Sequence, residues 1–136
     1  MTSSIDIKRV EITKISSVDF DNLPFGSVYS DHMLTCDFRN GEWQTPKIEP
    51  FAPISLDPSA KIFHYGQSIF EGMKAYKDAD DNIMLFRPDE NWKRLNKSAS
   101  RLVIPEISEE FFMEGLKALL EIDSDWIPTN EGSSLY

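Results

Sequence analysis

A single cysteine, Cys36, and two histidines, His32 and His64, are all that this 136-residue chain offers to thiolate or imidazole chemistry. One thiol forms no internal disulfide, and one thiol with two imidazoles does not complete a zinc-type ligand set. No apolar run approaches the ~20 residues that a membrane-crossing helix needs. Met1 to Val10 mixes polar and apolar side chains and lacks the continuous apolar stretch of a secretory leader. Basic side chains are scarce too, 14 Lys and Arg against 23 Asp and Glu, a net charge of −9. Such a balance repels phosphate backbones and anionic lipid, so the expectation is no nucleic acid, no membrane and a cytoplasmic location.

What is present favours a packed core. Hydrophobic residues make up 40% and aromatics 12%, well above disordered composition, and the length suits one compact domain or part of a larger one. Charge is unevenly placed. Residues 61–105 carry eight basic and six acidic side chains, whereas 106–136 carry one and eight. The only net-basic stretch is therefore the middle one.

The first half reads as strands and turns. Ile5, Ile7, Val10 and Ile12 alternate loosely and predict a first strand. Leu34 to Phe38, Asn40-Gly41 and Trp43 predict a hairpin, because Asn-Gly takes the positive φ angles of a type I′ turn. Four prolines predict an irregular, extended course from Thr45 to Pro58. A short helix is expected from Gly66 to Glu71, then a second hairpin from Met73–Tyr76 and Ile83–Phe86 across a solvated Asp-rich turn. An EF-hand would need Gly and Glu where that turn has Ile83 and Asp89.

Two helices close the chain. Trp92, Leu95, Ala99 and Leu102 form one apolar stripe over Asp89–Leu102. Ser108 is a good N-cap for a second helix to Ile122, with Glu109 and Glu110 at its positive end and Ile107 and Phe112 placed for a hydrophobic staple. Its inward face would include Phe111, Gly115, Leu116 and Leu120. Strands followed by two packed helices make an α+β layout.

On the first of these helices, Arg94, Lys97, Ser98 and Arg101 share a second stripe. A sheltered Arg there grips a phosphate through its planar fork; the plain alternative is a solvated basic face. His64-Tyr65-Gly66 and Phe70-Glu71-Gly72 put two aromatic rings between glycines, either pocket walls or core. The two histidines are acid–base candidates or structural rings. From the residues alone the reading stops at an acidic α+β domain with one basic helix face.

Four segments carry a resemblance. Phe25-Gly26-Ser27-Val28-Tyr29-Ser30-Asp31-His32-Met33-Leu34, the run His64 to Tyr76, Phe86-Arg87-Pro88 with Asn91 to Leu95, and Gly132-Ser133-Ser134-Leu135-Tyr136 resemble motifs of the branched-chain amino acid aminotransferases. They stand in the family's order and spacing from about Leu23 to Tyr136. The Phe-Glu-Gly-Met-Lys run favours this branch over the related D-amino acid aminotransferases and aminodeoxychorismate lyases.

The resemblance implies the small N-terminal domain of a fold type IV enzyme, antiparallel strands packed with two helices. It divides the chain into an N-terminal extension, 1–22, and the small domain, 23–136, incomplete at its C-terminus and without the large catalytic domain. It implies pyridoxal 5′-phosphate as cofactor, and leucine, isoleucine or valine with 2-oxoglutarate as substrates, in a homodimer. Arg94 matches the residue that holds the cofactor phosphate. Phe25, Tyr65, Phe70 and Tyr136 match residues bordering the branched side chain, Tyr65 reaching in from the neighbouring subunit. Aromatic walls reward burial of an isobutyl or sec-butyl group.

The chemistry also needs a lysine for the cofactor aldehyde and a carboxylate beside the pyridine nitrogen. The family carries both beyond the segment matched here, and none of the nine lysines present occupies the catalytic position. The expectation is an N-terminal piece of such an enzyme, inactive alone. The rival expectation is a stand-alone domain that dimerises or binds a partner without chemistry.

Overall fold

A computed structural model describes residues 4–136 of the chain. Its first sheet has a strand the prolines had concealed. β5 (Lys47–Pro50) lies in the centre of three strands, parallel to β1 (Asp6–Ile7) and antiparallel to β2 (His32–Thr35). Ile48 aligns with Ile7 on one side and Leu34 on the other, and is fully buried. The expected irregular course through 45–58 is thereby corrected. Pro46 precedes the strand and Pro50 ends it, leaving the backbone of 47–49 free to pair.

The first hairpin forms, but shorter than expected. β3 (Phe38–Arg39) pairs with β4 (Glu42–Trp43) around Asn40 and Gly41, at φ 56° and 84°. Leu34 and Thr35 belong instead to β2. The expected helix at 66–71 is also corrected. α1 spans Lys61–Tyr65 and ends at Gly66, whose φ of 59° is a left-handed cap that stops a helix rather than starting one.

β6 (Ala75–Lys77) and β7 (Ile83–Leu85) form the second hairpin, and Leu135 bridges antiparallel to Ala75. In the turn between them, Asp78 accepts the backbone N–H groups of Asp80 and Asn82, so its carboxylate closes the loop. α2 (Pro88–Arg101) starts with Pro at its first position, where the absent N–H costs nothing. α3 (Glu109–Ile122) is capped as the sequence predicts, Phe111 N–H donating to Ser108 Oγ at 3.2 Å.

α3 packs on β2, close enough that a Cβ at Gly115 would come within 2.7 Å of Leu34. Ala75, Leu120 and Ile127 form the buried core, flanked by Leu85, Leu116 and Leu135. Leu102, expected in the apolar stripe of α2, caps that helix and is exposed. Among the described residues the architecture is α+β, with three α-helices and mainly antiparallel sheets. Among the described residues, no helix is long and apolar enough to cross a membrane.

Candidate functional site

Gly72 precedes β6 and brings two groups of residues together. The ring of Tyr136 lies over it so closely that a Cβ at position 72 would collide with the phenol oxygen. Phe25, from the turn before β2, packs on the same ring at 5.9 Å between centroids, tilted by 51°. On the other side, the backbone N–H of Gly72 donates to Glu71 Oε1 at 2.8 Å. Gly72 also lines an open cleft of about 360 Å³ together with Met73, Lys74, Asn91 and Arg94.

Arg94 extends from α2 into this cleft as one half of an ion pair. Its Nε donates to Glu71 Oε2 at 2.8 Å and its Nη2 donates to Oε1, a two-pronged fork. Asn91, one helical turn earlier, donates to the same Oε1 at 3.2 Å and to the carbonyl of Gly72 at 3.0 Å. The carboxylate side chain is 8% exposed, whereas that of its arginine partner is 67% exposed. The Arg94 hydrogen bonds, opposed by burial and helped by Gly72 and Asn91, hold the Glu71 pKa down at about 2. Glu71 is thus ionised at neutral pH and the guanidinium stays charged.

A guanidinium carries five N–H donors, of which this fork uses two. The three that remain suit the oxygens of a phosphate or carboxylate. The donor set therefore fits one anionic group of a cofactor, as the sequence reading of Arg94 requires. Lys97 and Arg101, on the same stripe, are exposed and are not among the residues lining the cleft.

Of the four aromatic positions singled out by sequence, the structure joins Phe25 and Tyr136 to each other. Phe70 adjoins Glu71 in the chain, and Tyr65 ends α1 and does not line the Arg94 cleft. All four rings are between 67% and 88% exposed. Phe25, Phe70 and Tyr65 are therefore not core residues of this chain.

The two histidines are both engaged. His64 Nε2 donates to the Pro58 carbonyl at 2.8 Å. His32 is buried at the start of β2, where its Nε2 accepts the Val10 N–H at 3.0 Å. That leaves Nδ1 as the protonated nitrogen, donating to Asp123 Oδ1 at 2.6 Å, while the His32 backbone N–H donates to Oδ2 at 3.0 Å. The ring is therefore neutral, in one tautomer, and structural. Next to it, Asp31 accepts from Thr13 Oγ1, the Lys14 N–H and Trp126 Nε1. Burial acts to raise the Asp31 pKa, but these hydrogen bonds outweigh it and the net shift is downward.

Glu71, Asn91 and Asp123 had no assigned role in the sequence reading. Asn91 stands three residues before Arg94 on one helix face, a spacing that could have flagged it. Glu71 and Asp123 meet their partners across 23 and 91 residues, where no local pattern reaches. Among the described residues, no cluster of His, Cys, Asp and Glu is arranged to hold a metal ion.

No family model matches the chain. Individual relatives do. A branched-chain-amino-acid aminotransferase 2 from Bacillus subtilis is 51% identical over 131 residues, 94% of this chain and 36% of that protein. A probable branched-chain-amino-acid aminotransferase from Staphylococcus epidermidis is 44% identical over 137 aligned positions, 100% of this chain and 38% of its own length. A third, from Mycolicibacterium smegmatis, is 50% identical over 117 residues, covering 85% and 32%. The chain is related to branched-chain-amino-acid aminotransferases along nearly all of its length, and spans about a third of theirs.

Proposed function

We propose that this chain, so related, is the N-terminal portion of a branched-chain-amino-acid aminotransferase, its residues 23–136 forming the small domain of the fold type IV enzymes after an extension at 1–22. The whole protein would move the amino group of leucine, isoleucine or valine to 2-oxoglutarate as a cytoplasmic homodimer. When bound, pyridoxal 5′-phosphate supplies the aldehyde that takes up the amino group and the ring that accepts electrons. Arg94 holds its phosphate through the three donors that Glu71 leaves free. Phe25, Phe70 and Tyr136 wall the substrate side chain, and Tyr65 reaches the partner's site.

One observation carries this reading on the structural side: an arginine two-thirds exposed in an open cleft, yet held by a buried carboxylate. A solvated basic face does not need such a brace. The exposed aromatic rings point the same way, since apolar surface on this scale is normally covered by another domain or subunit.

The test compares Arg94→Ala with Arg101→Ala in the full-length protein, measuring cofactor retained after dialysis. Arg94→Ala should lose it at least tenfold faster, and equal retention would remove the phosphate assignment. The isolated 136-residue chain serves as the blank for transamination. Glutamate formed by it from leucine and 2-oxoglutarate would show that a portion without the family's lysine suffices.

A further inference from the structure

We infer that Glu71 is a positioning residue for anion binding, fixing the plane of the Arg94 guanidinium before a phosphate arrives. The inference rests on the reading of Arg94 given above and adds a residue to it. Four donors converge on the two oxygens of Glu71: Arg94 Nε and Nη2, the Gly72 N–H and Asn91 Nδ2. The last two come from elements other than the arginine side chain, so they hold the carboxylate whether or not Arg94 is seated. Asn91 is itself tied to the Gly72 carbonyl at 3.0 Å. The carboxylate is thus a fixed, nearly buried platform, and the exposed guanidinium docks on it edge-on. Its remaining edge, Nη1 with the second N–H of Nη2, is left for the ligand.

Two physical effects oppose each other here, and they differ in sign. A negative charge next to the guanidinium repels an incoming phosphate, so simple electrostatics makes removal of Glu71 strengthen binding. A long, solvated arginine must otherwise be immobilised by the ligand itself, so preorganisation makes removal of Glu71 weaken binding. The Glu71 charge is already largely offset by the guanidinium it forks to, so little net repulsion is left for a phosphate, whereas an unbraced exposed arginine has its full side-chain freedom to lose. Preorganisation wins. A glutamine at 71 offers one oxygen for two arginine donors and turns an amide N–H₂ toward the other, so it breaks the fork while keeping the volume.

The experiment uses the full-length protein stripped of cofactor and titrated with pyridoxal 5′-phosphate and, separately, with pyridoxal, which lacks the phosphate. Glu71→Gln should weaken the phosphorylated cofactor about tenfold, leave pyridoxal unchanged, and have no further effect in an Arg94→Ala background. Asn91→Ala, which removes one brace, should give a smaller loss of the same phosphate-selective kind, and it stands in if Glu71→Gln does not fold. Unchanged or tighter binding of the phosphorylated cofactor by the folded variant overturns the inference, as does equal weakening of pyridoxal. Arg94→Ala without any loss overturns both this inference and the reading beneath it. Loss in Arg94→Ala but not in Glu71→Gln or Asn91→Ala overturns this inference alone.

Discussion

Replacing Asp123 should unfold this chain more readily than any single surface change, and the structure gives the amount. The Asp123 carboxylate satisfies the backbone N–H of His32 and the protonated Nδ1 of its ring, with side chains 3% and 5% exposed. Asp123→Ala orphans both donors. Each buried donor left unpaired costs about 1–3 kcal/mol, so about 3 kcal/mol is expected once partial entry of water is allowed for. The ring has no escape by moving its proton, because an Nε2–H would face the Val10 N–H. Asp123→Asn should be nearly as costly, since either amide orientation sets an N–H₂ group against one of the two donors.

Urea unfolding of the purified chain, followed by tryptophan fluorescence, measures this directly. Trp126 is a built-in reporter because its Nε1 donates to Asp31 in the adjoining network. A loss of about 3 kcal/mol should move the midpoint down by roughly 1–2 M. It would also be a large fraction of the 5–15 kcal/mol typical of a domain. An unfolding free energy for Asp123→Asn within about 0.5 kcal/mol of the parent would refute both the tautomer assignment and the idea that these donors depend on the carboxylate.

Two further outcomes are expected. Glu71 has a folded pKa of about 2 against an ordinary 4.5, so its contribution is complete above the higher value and disappears as pH falls through the lower one. With the arginine so exposed, this is worth about 1–2 kcal/mol, and Glu71→Gln should flatten the acid limb of the stability profile between pH ~5 and ~2; an unchanged limb would count against the pair. Asn96, buried on α2, donates to the Ile107 carbonyl at 2.7 Å and accepts the Ile107 N–H at 3.0 Å. Asn96→Ala should therefore cost about 2 kcal/mol in thermal or urea unfolding, and a loss below 0.5 kcal/mol (within ~0.5) would mean the α2–α3 link is held by other contacts.

What the sequence disclosed was short-ranged. Asn40-Gly41, the Ser108 cap and the α2 and α3 boundaries are each set by a few neighbouring residues, and the structure reproduces them to within a residue or two. The helix before Gly66 was displaced because a glycine in a left-handed cap leaves the same local composition on either side of it. β5 was hidden because its partners lie on remote segments, at Asp6–Ile7 and His32–Thr35, and its flanking prolines argue for irregular backbone. Arg94 was legible as a basic position on a helix face, but the carboxylate that distinguishes it from Lys97 and Arg101 was not, for it approaches through tertiary structure.

The His32–Asp123 link also dictates an order of events at the ribosome. Synthesis at 5–20 residues per second separates the emergence of the imidazole from that of its carboxylate, 91 positions later, by roughly 5 to 20 seconds. Throughout that interval the ring can have its Val10 partner but lacks the carboxylate that holds its other nitrogen. The latch on the first sheet is thus delivered only once α3 has been made and Asp123 at its C-terminal end has followed.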